Sequence, residues 1–574
     1  MERRVFIAIL LSAVVMYGYQ AIFPPPEPPA TSTTQTAAAT AAPSTPTSPG
    51  TAAATPPLPE VVSTTETSAR EILVETTTTR VRISNRGARV LSWQVTDYLD
   101  DKGTPVDLVP SGLGPEVDRP FSLTVADAGR TRALNTGLYR VSGVSGDRID
   151  ARTQPVTLVF EYADGTGLTA RKTFTFEPRN YTVRFSAAVA VNGREDVPSV
   201  SWGPGLGDGG AAAGGGSFFT GNYVQPPEAL FYRDGDVTRV GRDDLSEQPR
   251  QQGVFRFVGV DDHYFMVAAV TAGEATVSYR PVEAAGPGDT TRQLIAHTVQ
   301  LPKSPAEVRF FAGPKQFDLL QSIDAELVRA INYGMFAWLV VPLLRTLKWL
   351  YGFMGNYGWA IVVLTVLINL ALAPLRHKSV VAMRKMQEIQ PQLKAIQDRY
   401  ASLKVTDPAR QKMNAEIMEL YKAKGANPAS GCLPMLATMP VLLAFYSLLS
   451  MSIELRGAPF VGWIHDLSSR DPYYVLPALM GITMFWQQRI TPSTADPAQQ
   501  KVMMIMPLMF TGIMASSPSG AVLYWFIGQV WAIGQQYFTN WLLGPPVVAQ
   551  VRPAAERRVK QAGSGRSSKL ESKS

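Results

Sequence analysis

The sequence predicts a multi-domain membrane protein: an N-terminal anchor helix, a large antiparallel β-sandwich, and a C-terminal α-helical core of five spans interrupted by a helical hairpin. Three observations predict it. Apolar runs fall at 5–23 and then in a cluster between 357 and 543, most of them near the length of about 20 residues that crosses a bilayer. Between them, residues 70–317 break into short alternating runs separated by Gly, Asp, Asn and Pro, the texture of strands and turns. A chain of 574 residues with 45% hydrophobic residues and a mean hydropathy near zero is what soluble and membrane parts give when averaged.

The first apolar run, VFIAILLSAVVMYGYQAIF, follows Arg3 and Arg4. A cleaved signal peptide shares that basic start, but no small-x-small site precedes Pro24, so residues 1–23 read as a retained anchor with a cytoplasmic N-terminus. Residues 24–69 form a Pro/Thr/Ala tract with too few large apolar groups to offset the entropy of ordering it, and read as a disordered linker.

The sandwich is read from runs such as TRVRISN, VTLVFEYADG, RKTFTFEP and NYTVRFSAAVAV. Within it, GLGDGG places Gly205, Gly207 and Gly210 in the register of a dinucleotide-binding loop. The following AAAGGGSFF is not an amphipathic helix that could hold a pyrophosphate, so the segment reads as a mobile loop. His263 in DDHYF has two acidic neighbours; acid/base chemistry and a polar strand end both account for it.

Residues 318–356 carry an apolar centre, Met335–Leu344, too short to span. Arg345 and Lys348 share a helical face beside Trp338, Leu344, Leu347 and Trp349, which predicts an amphipathic helix on the membrane surface, with burial under the sandwich as the alternative. The core spans are expected at about 357–375, 431–451, 472–490, 501–517 and 520–543, with the hairpin at 376–428 and a basic tail at 544–574. The hairpin segment and tail are rich in Lys and Arg, and assigning both to the cytoplasm agrees with counting crossings from a cytoplasmic N-terminus. The sandwich then lies outside. Met383, Met386, Met413 and Met418 mark either a seam between the hairpin helices or an adaptable apolar surface.

Two polar residues interrupt the 357–375 span. Thr365 and Asn369 lie one helical turn apart and project from one face, and Tyr524, Trp525 and Gln529 supply similar chemistry in the last span. Polar groups inside a span face protein or water, so these five residues are expected to line a wet groove that lowers the cost of carrying polar segments across hydrocarbon. Pro434, Pro440 and Pro507 sit inside apolar segments, as ordinary kinks or as features of a loosely packed, openable core. The single cysteine, Cys432, excludes an intramolecular disulfide and a cysteine-based metal site. No cofactor motif, DNA-binding motif or energy source is visible in the sequence.

The runs NPASGCLPMLATMP (427–440), IELRGAPFVGWIHDLSSRDPYYVLPALMGITMF (453–485), TADPAQQKVMMIMP (494–507) and SPSGAVLYW (517–525) closely resemble the YidC membrane protein insertases of Gram-negative inner membranes. The likeness is strong over about 350–540 and loose over the arrangement of the whole chain. It implies a periplasmic sandwich and a five-helix core that inserts and helps fold nascent membrane proteins, alone or with the SecYEG translocon and its accessory subunits. The cations of the basic tail and hairpin permit contact with the ribosome, with control of topology alone as the alternative, and lipid is a further partner; no catalytic residue is expected. Met439, Leu442 and Ile513 are expected to touch the apolar part of the client. Two positions depart from the family pattern: Asn369 stands where the family typically has an arginine, and Thr438 where it typically has a glutamine. The arginine's attraction for acidic client residues does not carry over to a neutral amide, and the sequence leaves open whether Arg376, two turns further on, takes part of that role. A secondary transporter would show an internal repeat of broken helices, and none is found. A tethered periplasmic carbohydrate enzyme would leave five spans and a basic hairpin without purpose.

Overall fold

A computed structural model describes residues 66–100, 102–113, 117–144, 146–206, 225–247, 249–285, 291–302, 307–400, 409–425, 429–491 and 497–544. The expected anchor, the linker up to residue 65, the glycine-rich loop from 207, the hairpin turn at 401–408 and the tail from 545 lie outside these residues.

Strands run from Glu71–Glu75 to Val308–Pro314 and form two sheets. The smaller has five strands, in the spatial order Pro105–Asp107, Arg89–Leu99, Thr79–Ser84, Glu71–Glu75 and Arg148–Asp150. Its last pairing is parallel, with Leu73 opposite Arg148, a departure from the wholly antiparallel expectation. The long excursion between these strands, which includes helix α1 (Ala128–Thr136), gives the chain room for the crossover a parallel pair needs. The larger sheet is built on the 21-residue strand Phe265–Ala285. Its first part pairs with Val308–Pro314 and its second with Thr291–Gln300. Thr271 and Gly273, with φ of 55° and 65°, mark the bend between the two partners.

Alternation puts one face of each strand inside: Leu168–Phe176 reads buried, half-buried, buried along its whole length. Phe121 packs edge-on to Phe174, Trp202 and Phe310 at 5.1, 5.4 and 5.2 Å between ring centroids. Trp93 of the small sheet packs edge-on to Trp202 at 5.8 Å and donates its Nε1 proton to Ala312 O of the large sheet at 3.0 Å, joining the two layers. Lys172 is fully buried and, among the described residues, has no carboxylate partner. Its Nζ donates to Gly87 O and Phe121 O at 2.7 Å and to Ala88 O at 3.3 Å, so all three protons are satisfied by carbonyls. Burial holds its pKa well below the usual lysine range.

Residues 318–356 are not one amphipathic helix. Helix α2 (Phe317–Ile323) stops at Asp324, whose extended backbone and side-chain bond to Glu326 N (2.9 Å) end it; short turns follow, and α3 (Ala337–Met354) begins after Gly334 at φ 69°. On α3 the apolar residues divide between two faces. Val340, Leu344, Leu347 and Leu350 are buried, while Trp338, Trp349 and Phe353 are 70%, 60% and 74% exposed. Arg345 and Lys348 turn toward α2, Arg345 over the Phe317 ring at 5.8 Å and Lys348 onto Asp318.

Helix α4 (Tyr357–Arg399) starts at Asn356, whose side chain accepts from Trp359 N, and runs 43 residues without a break at the expected boundary of 376. Span and first hairpin arm are therefore one rod, through Pro374 and Pro391. Helix α5 (Ala409–Lys424) is the second arm, held to the first by Glu416, which accepts from Arg399 and from Tyr400 OH at 2.8 Å each. Helices α6 (Ala429–Met451), α7 (Val475–Ile490), α8 (Pro497–Met514) and α9 (Ser519–Leu543) follow. α7 begins three residues later than expected because Asp471 accepts from Tyr473 N and Leu476 N at 3.0 and 2.7 Å and makes residues 472–474 a capping turn. α8 begins at a proline, favoured in the first helical turn, and ends at Met514 before the Ser517–Pro518 turn. Among the described residues α4 alone is long and apolar enough to cross a membrane by length and composition; Thr438–Met451 and Met503–Met514 are shorter apolar stretches.

Candidate functional site

Thr365 and Asn369 are both buried on α4. Thr365 Oγ1 donates to Ile361 O at 2.6 Å, and Asn369 Nδ2 donates to Thr365 O at 2.8 Å. The Thr365 hydroxyl and one of the two Asn369 amide protons are thus satisfied inside their own helix, and among the described residues neither side chain bonds another helix. α9 passes beside this turn, with Gly528 facing Asn369: a Cβ on Gly528 would stand 4.0 Å from the Asn369 amide nitrogen, an ordinary van der Waals contact.

Four helices enclose a cavity of about 600 Å³ beside Asn369. α4 contributes Ile368, Asn369, Leu372, Arg376, Ser379 and Val380, and α6 contributes Thr438, Val441 and Leu442. Gln487 comes from α7 and Thr491 from the turn after it; α9 supplies Tyr524, Trp525, Gly528, Gln529, Ala532, Gln535 and Gln536. No carboxylate is in this lining, and Arg376 is the one cation in it among the described residues. Among the described residues, Gln487 Oε1, Trp525 Nε1 and Gln535 Oε1 find no hydrogen-bond partner. Left dry and unpaired, such an atom costs about 1–3 kcal/mol, so three of them around a space large enough for water favour a hydrated cavity.

The two ends of the cavity differ. At the N-terminal end of α9, Tyr524 stacks on Phe445 at 4.2 Å and Trp525 packs on Phe510 at 4.6 Å, while Ser519 Oγ donates to Ser469 O at 2.7 Å. This end is an aromatic seal pinned to the 452–471 loop. Toward the C-terminal end of α9 the lining turns polar, with Arg376, Ser379, Gln487, Thr491, Gln535 and Gln536. There Gln535 Nε2 donates to Ala373 O at 2.9 Å and His377 Nδ1 lies 3.5 Å from Thr539 Oγ1, stapling α9 to α4.

Of the residues singled out from sequence, Asn369, Arg376, Thr438, Leu442, Tyr524, Trp525 and Gln529 meet in this cavity. Thr365 sits a turn away from it. Met439 is 45% exposed outside the lining, and Ile513 packs from α8 against the apolar core. Sequence reasoning missed Ser379, Gln487, Thr491, Gln535 and Gln536 as lining. A signal was present on α9: Trp525, Gln529, Ala532 and Gln536 recur at spacings of four, three and four, a single helical stripe.

The sandwich joins the helical region through the end of α6 and the loop after it. His263 Nε2 lies 2.9 Å from Ser450 O, and its Nδ1 accepts from Gln225 N at 3.3 Å. Burial and the nearby Lys315 pull its pKa down to about 4, so it is a neutral bridge at neutral pH. Arg456 lies 5.3 Å over both the Tyr264 and Phe265 rings. Glu454 is buried with Lys348 Nζ at 3.5 Å, and burial raises its pKa.

Residues 71–346 match the family model described as YidC periplasmic domain, and residues 349–543 the one described as 60Kd inner membrane protein. A membrane protein insertase YidC of Geobacter metallireducens is 34% identical over 563 residues, covering 94% of this chain and 98% of the relative. One from Wolinella succinogenes is 48% identical over 231 residues, 40% of this chain and 42% of the relative. A crystal structure of an active YidC insertase with its first transmembrane domain resolved matches at 17% identity and a TM-score of 0.34, over 82% of this chain and 92% of that one.

Proposed function

The chain belongs to the YidC family of membrane protein insertases, and from that premise we propose that the cavity beside Asn369 is the groove through which it receives the polar segment of an inserting chain. The observation that carries this reading is the lining itself: a space of about 600 Å³ between apolar helices, walled by Asn369, Arg376, Gln487, Gln529, Gln535 and Gln536, with no carboxylate among them. A peptide group without partners in hydrocarbon costs several kcal/mol, so a client's polar tail crosses only where hydrogen-bonding groups and water replace those it leaves. The amides of the groove and its water do this over the polar half, and the Tyr524–Phe445 and Trp525–Phe510 pairs shut the far half until the client displaces them. The dry distance is shortened, and no chemical energy is spent by this chain. Arg376 has no carboxylate partner among the described residues and offers an anion site at the polar end.

The chain's orientation follows the charge pattern: five spans in the core, termini, hairpin and basic tail in the cytoplasm, and the sandwich in the periplasm of an inner membrane. Leu442 in the groove and Met439, exposed on the same helix, with Ile513 on α8, offer apolar contacts to the client's apolar segment. Nascent membrane proteins are the substrate. The SecYEG translocon is the membrane partner for multi-span clients, and the ribosome meets the basic tail and hairpin, whose cations suit a polyanion.

Purified protein in liposomes tests the reading with a single-span client carrying a polar N-terminal tail. Wild-type protein should protect the tail from external protease, and the double variant Asn369→Leu, Gln529→Leu should not. Equal protection by the two would reject the groove.

A further inference from the structure

Arg384 lies on the cytoplasmic extension of α4, eight residues or about 12 Å of helix beyond Arg376, yet it is only 8% exposed. Its Nη1 donates to Gly544 O and its Nη2 to Asn540 Oδ1, each at 2.7 Å. No carboxylate pairs with it among the described residues. The guanidinium instead caps the C-terminal end of α9, where the last carbonyls lack helical partners and the helix dipole favours a cation. Asn540 Oδ1 also accepts from Gln536 Nε2 at 3.2 Å, and Gln536 is part of the groove wall. One oxygen is therefore shared between a residue of the hairpin arm and a residue of the groove.

We propose that Arg384 is a positioning residue for insertion, which sets the polar end of the groove by holding Asn540 and, through it, Gln536. α4 is continuous from Asn369 to the hairpin, so displacement of the hairpin arm carries Arg384 with it. When Arg384 leaves, Gly544 O loses its partner, Asn540 is free to turn, and Gln536 swings with it. The hairpin and the root of the basic tail at Gly544 thus meet the groove at a single clamp. The fork geometry matters: a guanidinium reaches two acceptors at once, and a lysine ammonium at this site reaches one of them. The inference rests on the groove reading, but it makes its own demand on the groove wall, one that is measurable without a client.

The test uses full-length protein with Cys432→Ala and Gln529→Cys, in membranes. Two quantities are read: reactivity of the introduced thiol toward a small water-soluble maleimide without client, and disulfide capture of a client bearing one cysteine in its polar tail. Arg384→Gln and Asn540→Leu should each change reactivity and lower capture by about three- to tenfold, the effect of losing a hydrogen bond of ordinary net strength. The double variant should be no worse than either single one, because both break the same clamp. Arg384→Lys should recover part of the effect, and thermal stability in detergent should stay level across the set. Unchanged reactivity in Arg384→Gln overturns the proposal whatever the client does, and so do multiplying effects in the double variant or losses that track melting temperature. Failure of the parent Gln529→Cys to capture client, with reactivity still responding to Arg384, leaves the clamp standing and counts against the groove.

Discussion

Among the described residues Asn369 bonds the backbone of its own helix and no other, its Nδ2 donating to Thr365 O at 2.8 Å. A polar residue placed in a span as glue would reach across to a neighbour; this one closes on the turn below and presents the rest of its amide to the cavity. Asn369→Leu should therefore leave thermal stability in detergent level, well short of the ~0.6–2 kcal/mol that a lost interhelical bond costs in membranes. It should slow insertion of clients with charged N-terminal tails several-fold more than clients with neutral ones. Asn369→Arg should be expressed and active, since a wet cavity accepts a charge that would cost at least about 2.5–3.5 kcal/mol at a dry site facing lipid. A destabilised Asn369→Leu together with a misassembled Asn369→Arg would show the residue to be structural.

Arg376 is the groove's cation among the described residues, so its loss should be selective for client charge. Arg376→Gln is expected to slow clients whose tail carries Asp or Glu by about tenfold, one charge-assisted hydrogen bond of ordinary strength, and to leave neutral tails within about twofold. In vitro insertion of matched tails that differ only in Asp against Asn decides it.

Topology is checked by thiol labelling in a Cys432→Ala background. Leu230 is buried in the sandwich, so an outside probe belongs at Asp234, whose side chain is 89% exposed, and at Val461. Asp234→Cys and Val461→Cys should react with an impermeant maleimide in cells with a permeabilised outer membrane, and Met418→Cys in the hairpin should react only after lysis. Labelling of Met418→Cys in unlysed cells would contradict the charge argument.

His297 stands opposite Trp202 and Tyr279 in the large sheet, fully buried with both ring nitrogens unpaired, and burial pulls its pKa down to about 3. In the unfolded chain it titrates near 6.5. The folded state therefore binds fewer protons between those values, so the stability it permits is full above pH 6.5 and is lost as pH falls toward 3, by about 1.4 kcal/mol per pH unit. His297→Phe should flatten the pH dependence of the sandwich's resistance to protease in urea between pH 6.5 and 5. An unchanged slope would mean that the ring is hydrated or paired in solution.

Much of the architecture was legible because its signals are periodic. Alternation marked the strands, and length and apolarity marked the ends of the later core helices to within a few residues, while α4 runs past the expected 375 to Arg399. The errors fall where a single side chain outweighs the pattern. Asp471 converts residues 472–474 from helix to cap, Asp324 splits the 318–356 segment, and the apolar residues of α3 divide between a buried and an exposed face instead of forming one stripe. Half of the groove was readable because Asn369, Trp525 and Gln529 are polar or aromatic in otherwise apolar spans. Gln487, Thr491 and Ser379 were not, because they lie near helix ends, where polar residues are ordinary and only the packing of four helices brings them to one wall. Arg384 was hidden for the same reason: in a hairpin rich in cations, nothing in the sequence singles out the one that is buried.

The claim that the polar segment of a client passes through the cavity is tested most directly by photo-crosslinking. A photoreactive amino acid is placed at Gln529 in the groove and, as a control, at Leu508, which is 76% exposed on the outer face of α8. During insertion of a ribosome-stalled client, the probe at 529 should capture the client's polar tail, and the probe at 508 should not. Capture of that tail from 508 with none from 529 would contradict the account.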